Sequence, residues 1–127
     1  MTQLTSPVAQ LLSVGPQHPT AGLDGYPAHD WFAPARSVVL APASGRIVKL
    51  SGHDPAAGLV DGPHGPFGWS LYLRDDTGAT WYLTHLGTRS TRLNVLVHRG
   101  QSVGTVALWP RNVTPPHVHM GVASPGA

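Results

Sequence analysis

The 127 residues fit one compact domain, and a hydrophobic content of 41% supports a single modest core. The net charge is only +2, and the seven arginines are scattered from Arg36 to Arg111 instead of clustered, which excludes a nucleic-acid footprint. Cysteine is absent, so disulfides and thiolate metal sites are excluded; the acids are six aspartates and no glutamate, so any metal must be held by aspartate and the eight histidines. Fifteen glycines and thirteen prolines break helices and punctuate strands, and they favour an all-β fold. No stretch approaches the roughly 20 apolar residues of a membrane span. The first residues lack the charged-then-apolar pattern of a secretory signal peptide. The expectation is therefore a virion-associated or cytoplasmic chain, with delivery by another route if it acts outside the cell.

In chain order, residues 1–25 read as an extended N-terminal arm, with Val8 to Leu12 as a turn or short strand and Gly15, Pro16, Pro19, Gly22 and Gly25 as breakers. Residues 26–127 form the domain. Asp30-Trp31-Phe32-Ala33-Pro34 is the first apolar anchor. Ser37 to Ala41 reads as a buried strand, and Arg46 to Leu50 returns after the Ser44-Gly45 turn, which predicts a hairpin. Ser51 to Gly68 is rich in Gly, Pro, Asp and His and reads as a long loop containing His53 and His64, solvated histidines by default.

Trp69 to Arg74 alternates, with Trp69, Leu71 and Leu73 on one face. Asp75-Asp76-Thr77-Gly78 is a turn by residue type, and Thr80 to Leu86 is the partner strand, with His85 near its end. Val95 to Val106 reads as two short extended pieces around Gly100. These turns predict an antiparallel β-sandwich or flattened barrel. The last strand begins at His117-Val118-His119-Met120-Gly121-Val122. In a strand, side chains alternate between faces, so His117 and His119 share one face while Val118, Met120 and Val122 supply an apolar back. The Cα atoms of such a pair lie about 6.5–7 Å apart, close enough for both imidazoles to serve one site.

Four of these segments, in order, resemble the LytM/lysostaphin-type M23 zinc metallopeptidases, whose β-rich fold is the duplicated hybrid motif. Asp30 to Val48 is similar to the family's Asp-x-x-x-Pro segment, following strand and Gly-x-Val turn. Trp69 to Leu73 with Tyr82-Leu83-Thr84-His85-Leu86 is similar to its central hairpin ending in Tyr-x-His-Leu. Val97 to Val106 resembles its Gly-Gln…Gly-x-Val turn, and His117-Val118-His119 its His-x-His. The likeness covers about Gly25 to Val122.

The resemblance implies that zinc is held by Asp30 and His119, and that His85 and His117 flank the metal-bound water. The family's first ligand, a histidine four residues before the aspartate, is replaced here by Tyr26. A catalytic zinc normally takes three protein ligands and a water, so the set is one short. His29 could substitute only if the backbone kinks beside Asp30, and His18 only if the arm folds back. With zinc, the chemistry is hydrolysis of a bacterial cell-wall peptide. The long loop, with Trp69 and Tyr82, would wall the cleft, although core packing is the simpler reading of Trp69 and Trp81. The missing ligand favours impaired or lost endopeptidase activity, and the alternative is a non-catalytic module that binds peptidoglycan or serves as a scaffold. The expected partners are peptidoglycan and other virion proteins, in the tail tip of a bacterial virus. A cytosolic regulator of a wall amidase is a third setting.

Overall fold

The computed structural model describes residues 6–19, 26–52, 69–107 and 116–123. His53, His64 and nearly all of the loop expected to wall the cleft lie outside the described residues. Nine strands run in the order β1 (Ser13–Pro19), β2 (Pro27–Phe32), β3 (Val38–Leu40), β4 (Gly45–Gly52), β5 (Trp69–Asp75), β6 (Thr80–Arg89), β7 (Leu96–Val97), β8 (Ser102–Val106) and β9 (His117–Ala123). Among the described residues there is no helix.

The strands form one all-antiparallel sheet that is not closed. Its main path is β1-β2-β9-β6-β5-β4-β7, and β3 joins through β8, which pairs with β6. Ten residues make β6 long enough for two partners. Its first half pairs with β9, from Thr80 opposite Ala123 to Thr84 opposite His119. Its second half pairs with β8, from Leu86 opposite Val106 to Arg89 opposite Gly104.

The β5–β6 hairpin forms as its alternation predicts, with Gly78 at φ 89° in the turn. The expected hairpin between Ser37–Ala41 and Arg46–Leu50 does not form. Val38 and Val39 lie opposite Thr105 and Gly104 of β8, while β4 is flanked by β5 and β7. The Pro42 to Ser44 segment crosses between two parts of the sheet instead of closing a tight turn. Ser13–Pro19, within the stretch read as an arm, pairs with β2 at the edge of the sheet, and Val8 is buried in the core.

One face of the sheet is apolar. Trp31, Ile47, Leu71, Leu73, Leu83, Leu86, Val118 and Met120 meet Val39, Val103 and Val106 from the β3–β8 pair in one cluster. Each buried aliphatic side chain of this kind contributes about 1.5–3 kcal/mol.

Among the described strand pairs five register shifts interrupt the pairing, and the two on β4 and β6 against β5 decide what the polar face displays. On β4, Ile47 lies opposite Leu73 and Lys49 opposite Tyr72, so Val48 is the extra residue. On β6, Leu83 lies opposite Leu71 and Leu86 opposite Trp69, so three steps on one strand match two on the other. Strict alternation would send Lys49 to the core side with Ile47, and His85 there with Leu83. Each bulge re-aims its polar side chain to the other face, a recognised use of such irregularities. His85 reaches this geometry with φ at 71°, in the left-handed region that L-residues enter at a cost. Replacing His85 with glycine should therefore leave the protein about 1 kcal/mol more stable than replacing it with alanine, measured by urea unfolding.

Asp75 organises the β5–β6 turn. Its Oδ1 accepts from Thr77 N at 2.9 Å, Thr77 Oγ1 at 2.6 Å and Ala79 N at 3.0 Å, and its Oδ2 accepts from Trp81 Nε1 at 2.9 Å. Burial pushes the carboxyl upward, but the hydrogen bonds from Thr77, Trp81 and Ala79 outweigh it and hold it below its ordinary value of 3.8. That stabilisation is complete above the unfolded-state value and is lost as pH falls through the lower folded-state value. Asp75→Ala should cost about 1–3 kcal/mol near pH 7 by denaturant titration, and less in acid.

Candidate active site

The polar face carries a row across three strands. Asp30 of β2 lies opposite His119 of β9, and His119 lies opposite Thr84 of β6. Directly paired residues share a face. His117, two residues before His119, lies there too, opposite Phe32. The alternation read in the sequence is thus realised, with Val118 and Met120 in the core behind the two imidazoles.

Both histidines are buried, at 6% and 7% exposure. His119 Nδ1 donates to Asp30 Oδ1 at 2.8 Å, since an ionised carboxylate can only accept. This leaves Nε2 as the second functional atom of the ring. His117 Nε2 is 3.6 Å from the same carboxylate oxygen. The bulge brings His85 into the group, with ring centroids 5.0 Å from His117 and 6.0 Å from His119. Phe32 packs on His117 at 5.2 Å, and Tyr82 presents its ring to His119 edge-on at 6.4 Å. One carboxylate and three imidazoles therefore meet on a single face.

Alternation along β2 places Tyr26, Ala28 and Asp30 on one side, and His29 and Trp31 on the other. Tyr26 packs against Tyr82 and Ala123. His29 faces away from Asp30: its Nδ1 donates to Gly15 O at 3.1 Å, and its ring meets Trp31 edge-on at 6.4 Å. The backbone of His18 is opposite Ala28; its side chain lies outside the described set. Tyr82 stands on the histidine face. Trp69 shares the face of Leu71 and Leu73, packs against the core cluster, and lies under the Arg89 guanidinium at 4.3 Å. Trp81 belongs to the core.

The supports of the site are less visible in the sequence. Ser70 and Thr84, both buried, share a hydrogen bond at 2.6 Å beside the bulge that turns His85. Tyr72 lies 4.8 Å from Tyr82. Its alternation against Leu71 and Leu73 is the signal that would have placed it on the polar face.

The described donors do not fit a three-ligand zinc. Two ligands of a tetrahedral zinc, each at about 2.0–2.1 Å, stand about 3.3 Å apart. Asp30 Oδ1 and His119 Nδ1 are closer, in direct hydrogen-bond contact. Tyr26 is packed against the Tyr82 and Ala123 cluster. Among the described residues no group of three His, Cys, Asp or Glu side chains is arranged to hold a metal ion.

No family profile matches the chain, and no curated protein matches it. Its fold does match solved structures. The M23 metalloprotease pseudoalterin, from the deep sea, superposes with a TM-score of 0.68 at 18% identity over 98% of this chain and 72% of that one. The catalytic domain of the antimicrobial peptidase lysostaphin from Staphylococcus simulans gives 0.64 at 22% identity, over 87% and 78%. A zinc-containing peptidase from Vibrio cholerae gives 0.63 at 21% identity, over 92% and 35%. The chain spans 44% of an M23-type chain from Pseudomonas aeruginosa that is 24% identical over 94% of this one, with a TM-score of 0.60. At these identities the likeness is one of architecture: the chain has the all-β fold of the M23 peptidases.

Proposed function

We propose that this chain is a peptidoglycan-associated domain on the M23 peptidase fold, in which zinc-dependent cleavage of wall peptides is impaired or lost. The observation that supports the reading is the convergence of Asp30, His85, His117 and His119 on one face, taken with Tyr26 standing four residues before Asp30, where the family resemblance implies a histidine. Packing alone does not call for three imidazoles and a carboxylate on one surface. The face suits a peptide chain: Asp30 accepts hydrogen bonds, and the imidazoles donate or accept according to tautomer. A domain of this kind must be brought to the wall, and the tail tip of a bacterial virus is the setting we assign to it; immunoblotting of purified particles tests that assignment.

The purified protein should take up less than one equivalent of zinc and leave purified cell walls intact, yet co-sediment with them. Asp30→Ala should weaken co-sedimentation about tenfold, as loss of a charged hydrogen-bond partner predicts. Tyr26→His should tighten zinc binding at least about tenfold, read by competition with a chelator dye. Stoichiometric zinc with wall lysis that disappears in His119→Ala would establish an active zinc endopeptidase instead.

A further inference from the structure

The apolar face of the sheet is covered unevenly. β8 pairs with the second half of β6, and Val39, Val103 and Val106 of the β3–β8 pair pack on the face at that end. At the other end, Trp81 of β6 lies opposite Val122 of β9, and Met120 lies opposite His29 of β2. A cavity of about 160 Å³ is found there. Trp31, Trp81, Met120 and Val122 wall it, and His29, Pro27 and Gln17 are also in its lining. Pro27 and Gln17 are exposed, and His29 and Val122 are half-buried, so the cavity opens to solvent on their side. Asp30, His117 and His119 lie on the opposite face of the sheet.

The two indoles in the wall are buried alike, at 6% exposure, but their N–H groups differ. Trp81 Nε1 donates to Asp75 Oδ2 at 2.9 Å. Trp31 Nε1 is buried and has no hydrogen-bond partner among the described residues. A buried indole N–H usually finds an acceptor, and leaving one unpaired is destabilising. His29 offers the complementary group. Its Nδ1 donates to Gly15 O, which leaves Nε2 of the neutral ring as an acceptor. None of the described residues that line the cavity is an acid, a lysine or an arginine. A charged ligand would therefore be desolvated without a counter-charge.

We infer that this cavity is a binding site for a neutral phenolic ring. An apolar cavity of about 150 Å³ takes up benzene, so the volume suits one six-membered aromatic ring. A hydroxyl on that ring can accept and donate at once: its oxygen accepts from Trp31 Nε1, and its O–H donates to His29 Nε2. The Met120 thioether and the Trp81 indole supply the sulfur and ring contacts that aromatic groups favour. The ring comes from a free phenol or from a tyrosine side chain of a peptide, and the two differ in what must pass Pro27 and Gln17. This site is separate from the proposed peptide face and does not depend on it.

The test is a titration of the full chain at pH 7 with phenol, toluene, benzoate and N-acetyl-tyrosinamide, read from the indole N–H resonances of the four tryptophans. Phenol should bind about fivefold tighter than toluene, the size of one net hydrogen bond. It should move the Trp31 resonance downfield and leave that of Trp69 in place. Benzoate should not bind. In His29→Leu phenol should lose its advantage over toluene. In Val122→Phe, which fills the cavity, neither should bind. N-acetyl-tyrosinamide binding as tightly as phenol would identify a peptide tyrosine as the source of the ring, and its exclusion would identify a free phenol. Equal binding of phenol and toluene to the native chain, or an unmoved Trp31 resonance, would overturn the assignment of the hydroxyl. Failure of both to bind at millimolar concentration would remove the site while leaving the peptide face untouched.

Discussion

Strand β9 lies between β2 and β6, and its register against both determines what the polar face displays. Asp30 meets His119 because those two positions are opposed, and Thr84 completes the row. A slip of one residue would turn Val118 and Met120 outward and drive both imidazoles into the core. Burial of these two apolar side chains, about 1.5–3 kcal/mol each, therefore also locks the histidines in position. The hydrogen bond between His119 and Asp30 then selects one ring orientation.

Register alone would not have assembled the site. His85 and Lys49 both have the parity of core residues, since each stands two positions after a core aliphatic. The bulges at Val48 and His85 reverse that parity, and the same reversal turns Leu50 and Leu86 inward. The cost at β6 is a non-glycine residue with positive φ. Such strain persists where the surroundings over-determine it. Here the buried Ser70–Thr84 hydrogen bond and the pairing of β6 with β5, β9 and β8 supply that constraint.

The His-Val-His alternation and the β5–β6 hairpin were legible because both depend on local period and turn chemistry. Asp30 and His119 were brought together only by likeness to a family pattern, since nothing local relates positions 89 residues apart. The bulges were not legible: neither Val48 nor His85 is a glycine, and an extra residue is defined only by its partner strand. The strand at β3 was legible, but its partner was misassigned, because a Ser-Gly turn between two apolar runs also occurs where the chain crosses between parts of a sheet. β1 was hidden by Gly15 and Pro16. They sit where its register shifts, between Val14 and Gln17, on an edge strand that tolerates a missing donor.

Among the described residues the branched sheet ends at β1, β7 and β3, and β1 and β7 are finished differently. β7 has only two residues, too few to template another strand. β1 is longer and exposes Val14, with Leu12 just before it, but Pro16 and Pro19 contribute no N–H and the register shift breaks its regularity. Edge-to-edge polymerisation needs a run of free donors and acceptors on a flat strand. The same irregularity that disguised β1 in the sequence thus protects the molecule from fibril growth, even when many copies are crowded together.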